Sequence, residues 1–157
     1  MASEYEPLMR LALDQARKAR DRGEVPVGAV VVRGREVVGR GYNQTIRRHD
    51  PSAHAEIVAL RQAGRRLGNH RLTGCSLVAT LEPCAMCLGA AVQARVKRIV
   101  FGVADPKSGA VSSILRFPFA KMNHRPEVRG GVLSLECGRI LKEFFQSRRR
   151  EKTGKFG

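Results

Sequence analysis

The chain has 157 residues, 43% of them hydrophobic, and carries 29 Lys plus Arg against 14 Asp plus Glu, a formal charge of +15. That size and composition suit one domain with an aliphatic core and exclude wholesale disorder. The charge excess points to phosphate-rich partners and says nothing about fold, and no apolar run approaches the roughly 18 residues of a membrane span.

Ser3 and Glu6 have the spacing of a capping box. Leu8, Leu11, Ala12, Gln15, Ala16 and Ala19 follow at helical intervals, predicting a first helix that Gly23 ends. Val27–Val32 and Val37–Tyr42 read as β-branched strands joined through Arg33, Gly34 and Arg35 as a hairpin. Asp50-Pro51 marks a second helix, with Ile57, Leu60 and Leu67 facing inward. Ser76–Leu81 is a third strand, Pro83 opens a helix to about Arg95, and Lys97–Val103 is a fourth strand. Residues 105–129, with Gly109, Pro118 and Pro126, show no period and read as a long irregular segment. Val132–Leu135 reads as a weak fifth strand. Cys137 to about Arg150 reads as a last helix with Ile140, Leu141, Phe144 and Phe145 on its apolar side. A basic run, Arg148–Lys155, is expected to fray beyond about residue 150.

The strand–helix–strand step across 76–103 requires a parallel pair, and the hairpin an antiparallel one. A mixed sheet of about five strands between helices, a three-layer α/β/α domain spanning 1–157, satisfies both. Met1–Pro7 holds Glu4 and Glu6 and no apolar stretch, so a signal peptide is not expected and a cytoplasmic setting with reduced thiols is.

Three pieces carry chemistry: His54-Ala55-Glu56, Pro83-Cys84-Ala85-Met86-Cys87, and Glu82 before them. Cys84 and Cys87 stand three apart at a helix start, where both sulfurs share a face near the positive end of the helix dipole. Such a place favours thiolates, the metal-binding form. No second C-x-x-C completes a four-thiolate structural site, so His54 becomes the third candidate ligand. One imidazole, two thiolates and an open position form a catalytic zinc pattern. Glu56 then stands as the base for a water whose pKa zinc lowers. Residues two apart on an ideal helix do not face each other, so His54 and Glu56 converge only in a distorted first turn. Cys75 and Cys137 lie outside the pattern and are expected to be small buried hydrophobes.

The combined string, H-x-E then P-C-x-x-C, is the signature of zinc nucleobase deaminases, matched as a pattern and not built up from the chemistry. From about Leu8 to Arg150 the chain resembles the bacterial tRNA adenosine deaminases. The resemblance runs through Glu24–Val30, Asn43, Asp50–Glu56, Thr80–Cys84 with Met86-Cys87, Phe101-Gly102, Asp105 with Lys107, Gly109-Ala110, Met122–Arg125 and Phe144-Phe145. It implies the cytidine-deaminase-like fold, one Zn2+ per chain on His54, Cys84 and Cys87, and Glu56 shuttling protons. It further implies hydrolysis of adenosine to inosine at the wobble position of a tRNA anticodon stem-loop. By the same resemblance Val27 lines the pocket, Asn43 bonds the base, and the Ala55 N–H faces the base or the water. Asp105 and Lys107 meet flanking nucleotides, Phe145 and Arg149 touch the loop, and a homodimer with no membrane association is expected. Ala104 departs from the usual polar residue there, and Pro106 stiffens the same loop. Two other readings stand beside it. One is a deaminase of a free base or nucleoside (guanine, cytosine or cytidine), which the basic charge disfavours. The other is a zinc-stabilised RNA-binding module, which has no use for Glu56.

Overall fold

A computed structural model describes residues 4–156, with side chains through Lys152. The element order is α1 (Glu6–Asp21), β1 (Gly28–Arg33), β2 (Glu36–Tyr42), α2 (Ala55–Leu67), β3 (Cys75–Leu81), α3 (Ala85–Gln93), β4 (Arg98–Val103), β5 (Glu127–Arg129) and α4 (Ser134–Phe156). The sheet order is β2-β1-β3-β4-β5. β1 pairs antiparallel with β2 and with β3, while β3–β4 and β4–β5 are parallel. This is the expected mixed five-stranded sheet between helices.

Side-chain alternation along the strands builds the two outer layers. Ala29 and Val31 of β1, Leu77 and Ala79 of β3 and Ile99 of β4 join Ala55, Ala59, Leu60, Leu88 and Ala91 from α2 and α3 in one core. Val30, Val32, Val78 and Val100 point the other way, onto Met9, Ala12, Leu13 and Ala16 of α1 and Cys137 and Ile140 of α4. The core is aliphatic, as a chain without Trp must make it. α2 lies very close to β2: a Cβ on Gly41 would overlap the carbonyl of Ala55 and the amide of Ala59. Gly41 therefore fixes how near the first turn of α2 comes to the sheet, and with it the residues at that helix start.

Several boundaries differ from expectation for physical reasons. Ser3 lies outside the described residues, and the N-cap of α1 is Tyr5 with no side-chain cap bond. Met9 and Leu13 are buried on α1, while Leu8 and Leu11 are only half-buried. Asp50-Pro51 does not open α2. Asp50 Oδ1 instead accepts from the Ser52 N–H at 2.9 Å and hydroxyl at 2.7 Å, a tight turn that delays the helix to Ala55. α3 likewise starts after Pro83, with Cys84 as N-cap.

The fifth strand is Glu127–Arg129, not Val132–Leu135. Leu133 has φ +52° and Gly131 φ +88°, so this stretch turns into α4 and cannot run as a strand. Val132 was apolar because it is core, at 2% exposure. Residues 105–129 also contain a single 3₁₀ turn, Phe119–Lys121. α4 starts three residues before Cys137 and continues past Arg150 to Phe156. Phe145 is 46% exposed and so leaves the inner face of α4 to Ile140, Leu141 and Phe144. No described helix is long and apolar enough to cross a membrane.

Candidate active site

The ends of four strands converge on one side of the sheet. β1 begins there after Val27, β2 ends before Asn43, β3 delivers Leu81-Glu82, and β4 delivers Asp105. They surround a cavity of about 200 Å³ lined by Val25, Val27, Asn43, Thr45, His54, Glu56, Leu81, Glu82, Cys84, Asp105 and Ser108. Openings beyond the carboxyl ends of parallel strands are a general place for ligands in α/β sheets.

Two helix N-termini supply its floor. His54 is the N-cap of α2, with φ −69° and ψ 153°, and Cys84 is the N-cap of α3, with φ −78° and ψ 173°. Both are therefore extended residues, outside the helical path. That resolves the spacing objection to His54 and Glu56: only Glu56 is on the helix, so the two are free to meet over one cavity. His54 Nδ1 lies 3.6 Å from Cys84 Sγ and 3.6 Å from Cys87 Sγ. All three ligand atoms fall within 4.8 Å of one another. A tetrahedral ion with metal–sulfur bonds of about 2.3 Å and a metal–nitrogen bond of about 2.0 Å needs an N···S edge of about 3.5 Å. The triangle fits a zinc-sized ion on that geometry, and among the described residues it is the one such group of His, Cys, Asp and Glu.

The three groups share protons closely, and Cys84 is the one that gives its proton up most readily. A hydrogen bond from Cys87 and another with His54 lower the Cys84 thiol to about 4. Cys87 moves the other way, raised by its hydrogen bond with Cys84 and by burial. The bond with Cys84 raises His54. Glu56, only 4% exposed, is raised by burial, which is the direction that suits a carboxyl meant to give and take a proton near neutrality. Cys75 and Cys137 are buried and distant in role. Burial raises both thiols, Cys137 to about 12.

The remaining expected residues divide between two places. Val27, Asn43 and Asp105 line the cavity. Asn43 Nδ2 donates to the Val25 carbonyl at 3.4 Å, while its Oδ1 is buried with no hydrogen-bond partner. Ala55 is fully buried and is not part of the lining, but its N–H opens α2 and has no acceptor within the helix. Lys107, Phe145 and Arg149 are elsewhere: with Arg148, Glu151 and Lys152 they line a groove of about 470 Å³ between α4 and the loop after β4.

Two buried carboxylates, Glu82 from the string before Cys84 and Glu24, take loop-holding roles that the sequence did not reveal. Glu82, 2% exposed, is pushed up by burial, but the Ser113 hydroxyl and the N–H groups of Ser112, Asp105 and Val111 outweigh this and hold it below the usual carboxylate range. Glu24, 1% exposed, accepts from the N–H of Ile46 at 3.1 Å and of Arg47 at 2.8 Å. Each ties down one loop beside the cavity. Only a carboxylate abutting an apolar strand hinted at this, and acidic residues in that setting are usually surface groups.

Known proteins agree with this layout. The model of the MafB19-like deaminase family matches residues 3–149. The tRNA-specific adenosine deaminase of Haemophilus influenzae is 51% identical, over 94% of this chain and 86% of that protein. The tRNA-specific adenosine deaminase of Bacillus subtilis is 42% identical, over 92% of this chain and 90% of its own. A solved tRNA:A34 deaminase, studied for A-to-I editing at the wobble position of transfer RNA, superposes with a TM-score of 0.81 at 46% identity, covering 85% of this chain and 97% of that one. With the fold, the His-Cys-Cys triangle and these likenesses in hand, the chain belongs to the bacterial tRNA-specific adenosine deaminases of the cytidine-deaminase superfamily.

Proposed function

We propose that this protein binds one zinc ion through His54 Nδ1, Cys84 Sγ and Cys87 Sγ and hydrolyses adenosine to inosine at the wobble position of tRNA anticodon loops. The observation that carries the reading is the triangle of ligand atoms, two of whose residues, His54 and Cys84, line the same small cavity as the buried Glu56. Zinc, when bound, supplies an acidified water as nucleophile near neutral pH.

The chain's own groups do the rest. Glu56 accepts the proton that the attacking water loses and delivers it to the departing amine nitrogen, so that water and adenosine leave as inosine and ammonia. Asn43 Oδ1, otherwise unpartnered, accepts a hydrogen bond from the base and orients it. Val27 and Leu81 supply apolar walls against the ring. The Ala55 N–H, at the start of α2, faces the oxygen that adds to C6. A cavity of about 200 Å³ accepts one base and not a stacked pair, so the nucleotide enters flipped out of its loop.

The basic groove then holds the neighbouring nucleotides. Lys107 there and Asp105 on the cavity wall contact the residues flanking the target, Phe145 offers a ring for stacking, and Arg149 meets a phosphate. A free base or nucleoside needs no such groove and no net charge of +15. A homodimer with the anticodon loop crossing its boundary, working in the cytoplasm, belongs to the same reading and rests on the family resemblance. Sequencing of a tRNA with an A-initial anticodon, before and after incubation with the zinc-loaded protein, tests it. Inosine at that position is expected. Turnover of free guanine or cytidine in preference to tRNA would overturn it.

A further inference from the structure

Glu82 follows β3 immediately before Pro83-Cys84 and is 2% exposed. Its place beside Cys84 invites a role in proton transfer or as a fourth ligand, but its lone pairs are already committed. Oε1 accepts from the Asp105 N–H at 3.1 Å and from the Ser113 hydroxyl. Oε2 accepts from the Val111 N–H at 2.9 Å and from the Ser112 N–H at 3.0 Å. An ionised carboxylate offers about four acceptor positions, so none is left for a substrate or a metal.

All four donors belong to one segment, 105–113. It wraps the carboxyl closely: a Cβ on Gly109 would collide with Glu82 Cδ and Oε1 and with the Asp105 carbonyl. The Ala110 N–H donates to the Pro83 carbonyl at 2.9 Å, which ties the same segment to the residue before Cys84. This segment carries Asp105 and Ser108 on the cavity wall and Lys107 in the basic groove. Glu82 therefore joins the metal-site strand on one side to the RNA-facing loop on the other.

We propose that Glu82 is a positioning residue that sets the register of loop 105–113 relative to the cavity, and so governs how well the nucleotides around the target adenosine are gripped. The inference rests on the proposed function, because the loop's ligand is the RNA named there. Loss of the carboxylate weakens substrate binding and leaves bond breaking at the cavity floor largely intact. A neutral amide at this position cannot accept at both ends, and its NH2 faces backbone N–H groups that are then unpaired.

The experiment compares wild type, Glu82→Gln, Gly109→Ala and the double variant, all zinc-loaded, on an anticodon stem-loop RNA with A at the wobble position. Gly109→Ala keeps the charge and displaces the loop from it, so it carries the test even where Glu82→Gln does not fold. KM is expected to rise about tenfold in each single variant, with kcat within about threefold of wild type and zinc content unchanged. The double variant is expected to be no worse than either single one, because both break the same contact. An unchanged KM in both folded single variants, or a fall in kcat together with zinc loss at constant KM, overturns the inference while an active wild type leaves the proposed function standing. A wild type that does not deaminate the RNA overturns both.

Discussion

The cavity floor and the outer groove are built in different ways. The floor stands on regular elements: His54 caps α2, Cys84 caps α3, and Gly41 lets α2 press onto the sheet. The groove stands on a loop and the exposed face of α4, with Lys107, Phe145 and Arg149 contributed by different segments. Chemistry that tolerates little displacement is placed on the rigid part. Grip on a long, flexible polyanion is placed on side chains that can adapt. On the proposed function, breaking the bond and holding the substrate are thus assigned to separate parts of the molecule.

That separation can be broken experimentally, beginning where the effect is largest. Glu56→Ala is expected to lower kcat by about 10³-fold, with zinc still bound by elemental analysis. Retained activity would remove Glu56 from the chemistry. Cys87→Ser is expected to drop zinc content well below the ~1 per chain of the wild type and to lower Tm, because Cys87 is wholly buried beneath the site. A variant with full zinc content would show that the triangle is not the ligand set. Asn43→Ala should cost about 10- to 100-fold in kcat/KM, a loss of one base-orienting bond at an enclosed site.

Smaller effects belong to the groove. Phe145→Ala is expected to raise KM about fivefold or more with little change in kcat, in line with a lost stacking contact. Arg149→Ala should raise KM several-fold and reduce the magnitude of the log Kd against log salt slope by about 0.7, one single-strand phosphate contact. If either groove variant lowers kcat as much as KM rises, floor and groove are not separate. The smallest effect concerns the turn before His54. Asp50 is held below the ordinary carboxylate range by its bonds from Ser52, so its contribution to stability is present at neutral pH and is lost as pH falls through that lowered value. Ser52→Ala should therefore bring the wild-type and variant melting curves together at acid pH, and a gap that persists there would refute this.

The floor was readable in the sequence because its chemistry is local. His54, Glu56, Cys84 and Cys87 sit in two short strings whose residue types have few other uses together. What spacing alone missed was conformational: both caps are extended, so the helix-face reasoning applied to Glu56 but not to His54. The sheet was legible in β1 to β4, where several apolar residues fall within six or seven positions. β5 was not, because Val128 is its one apolar residue and its partners lie across β4, not nearby in the chain. The structural roles of Glu24 and Glu82 were hidden for the same reason, although Glu82 stood beside the Pro83-Cys84 string. The groups that each carboxylate binds lie more than 20 residues along the chain, and nothing in a linear pattern reports such closure.

The short parallel strand β5 has a consequence for how the protein behaves at high concentration. A sheet border invites a neighbouring molecule to add a strand when it is long, flat and greasy. This border offers three residues, two of them charged, with Pro126 before and a Gly130-Gly131 bend after. It gives an incoming chain too little ladder to propagate, so this margin of the molecule resists templated aggregation even though Val128 itself is apolar.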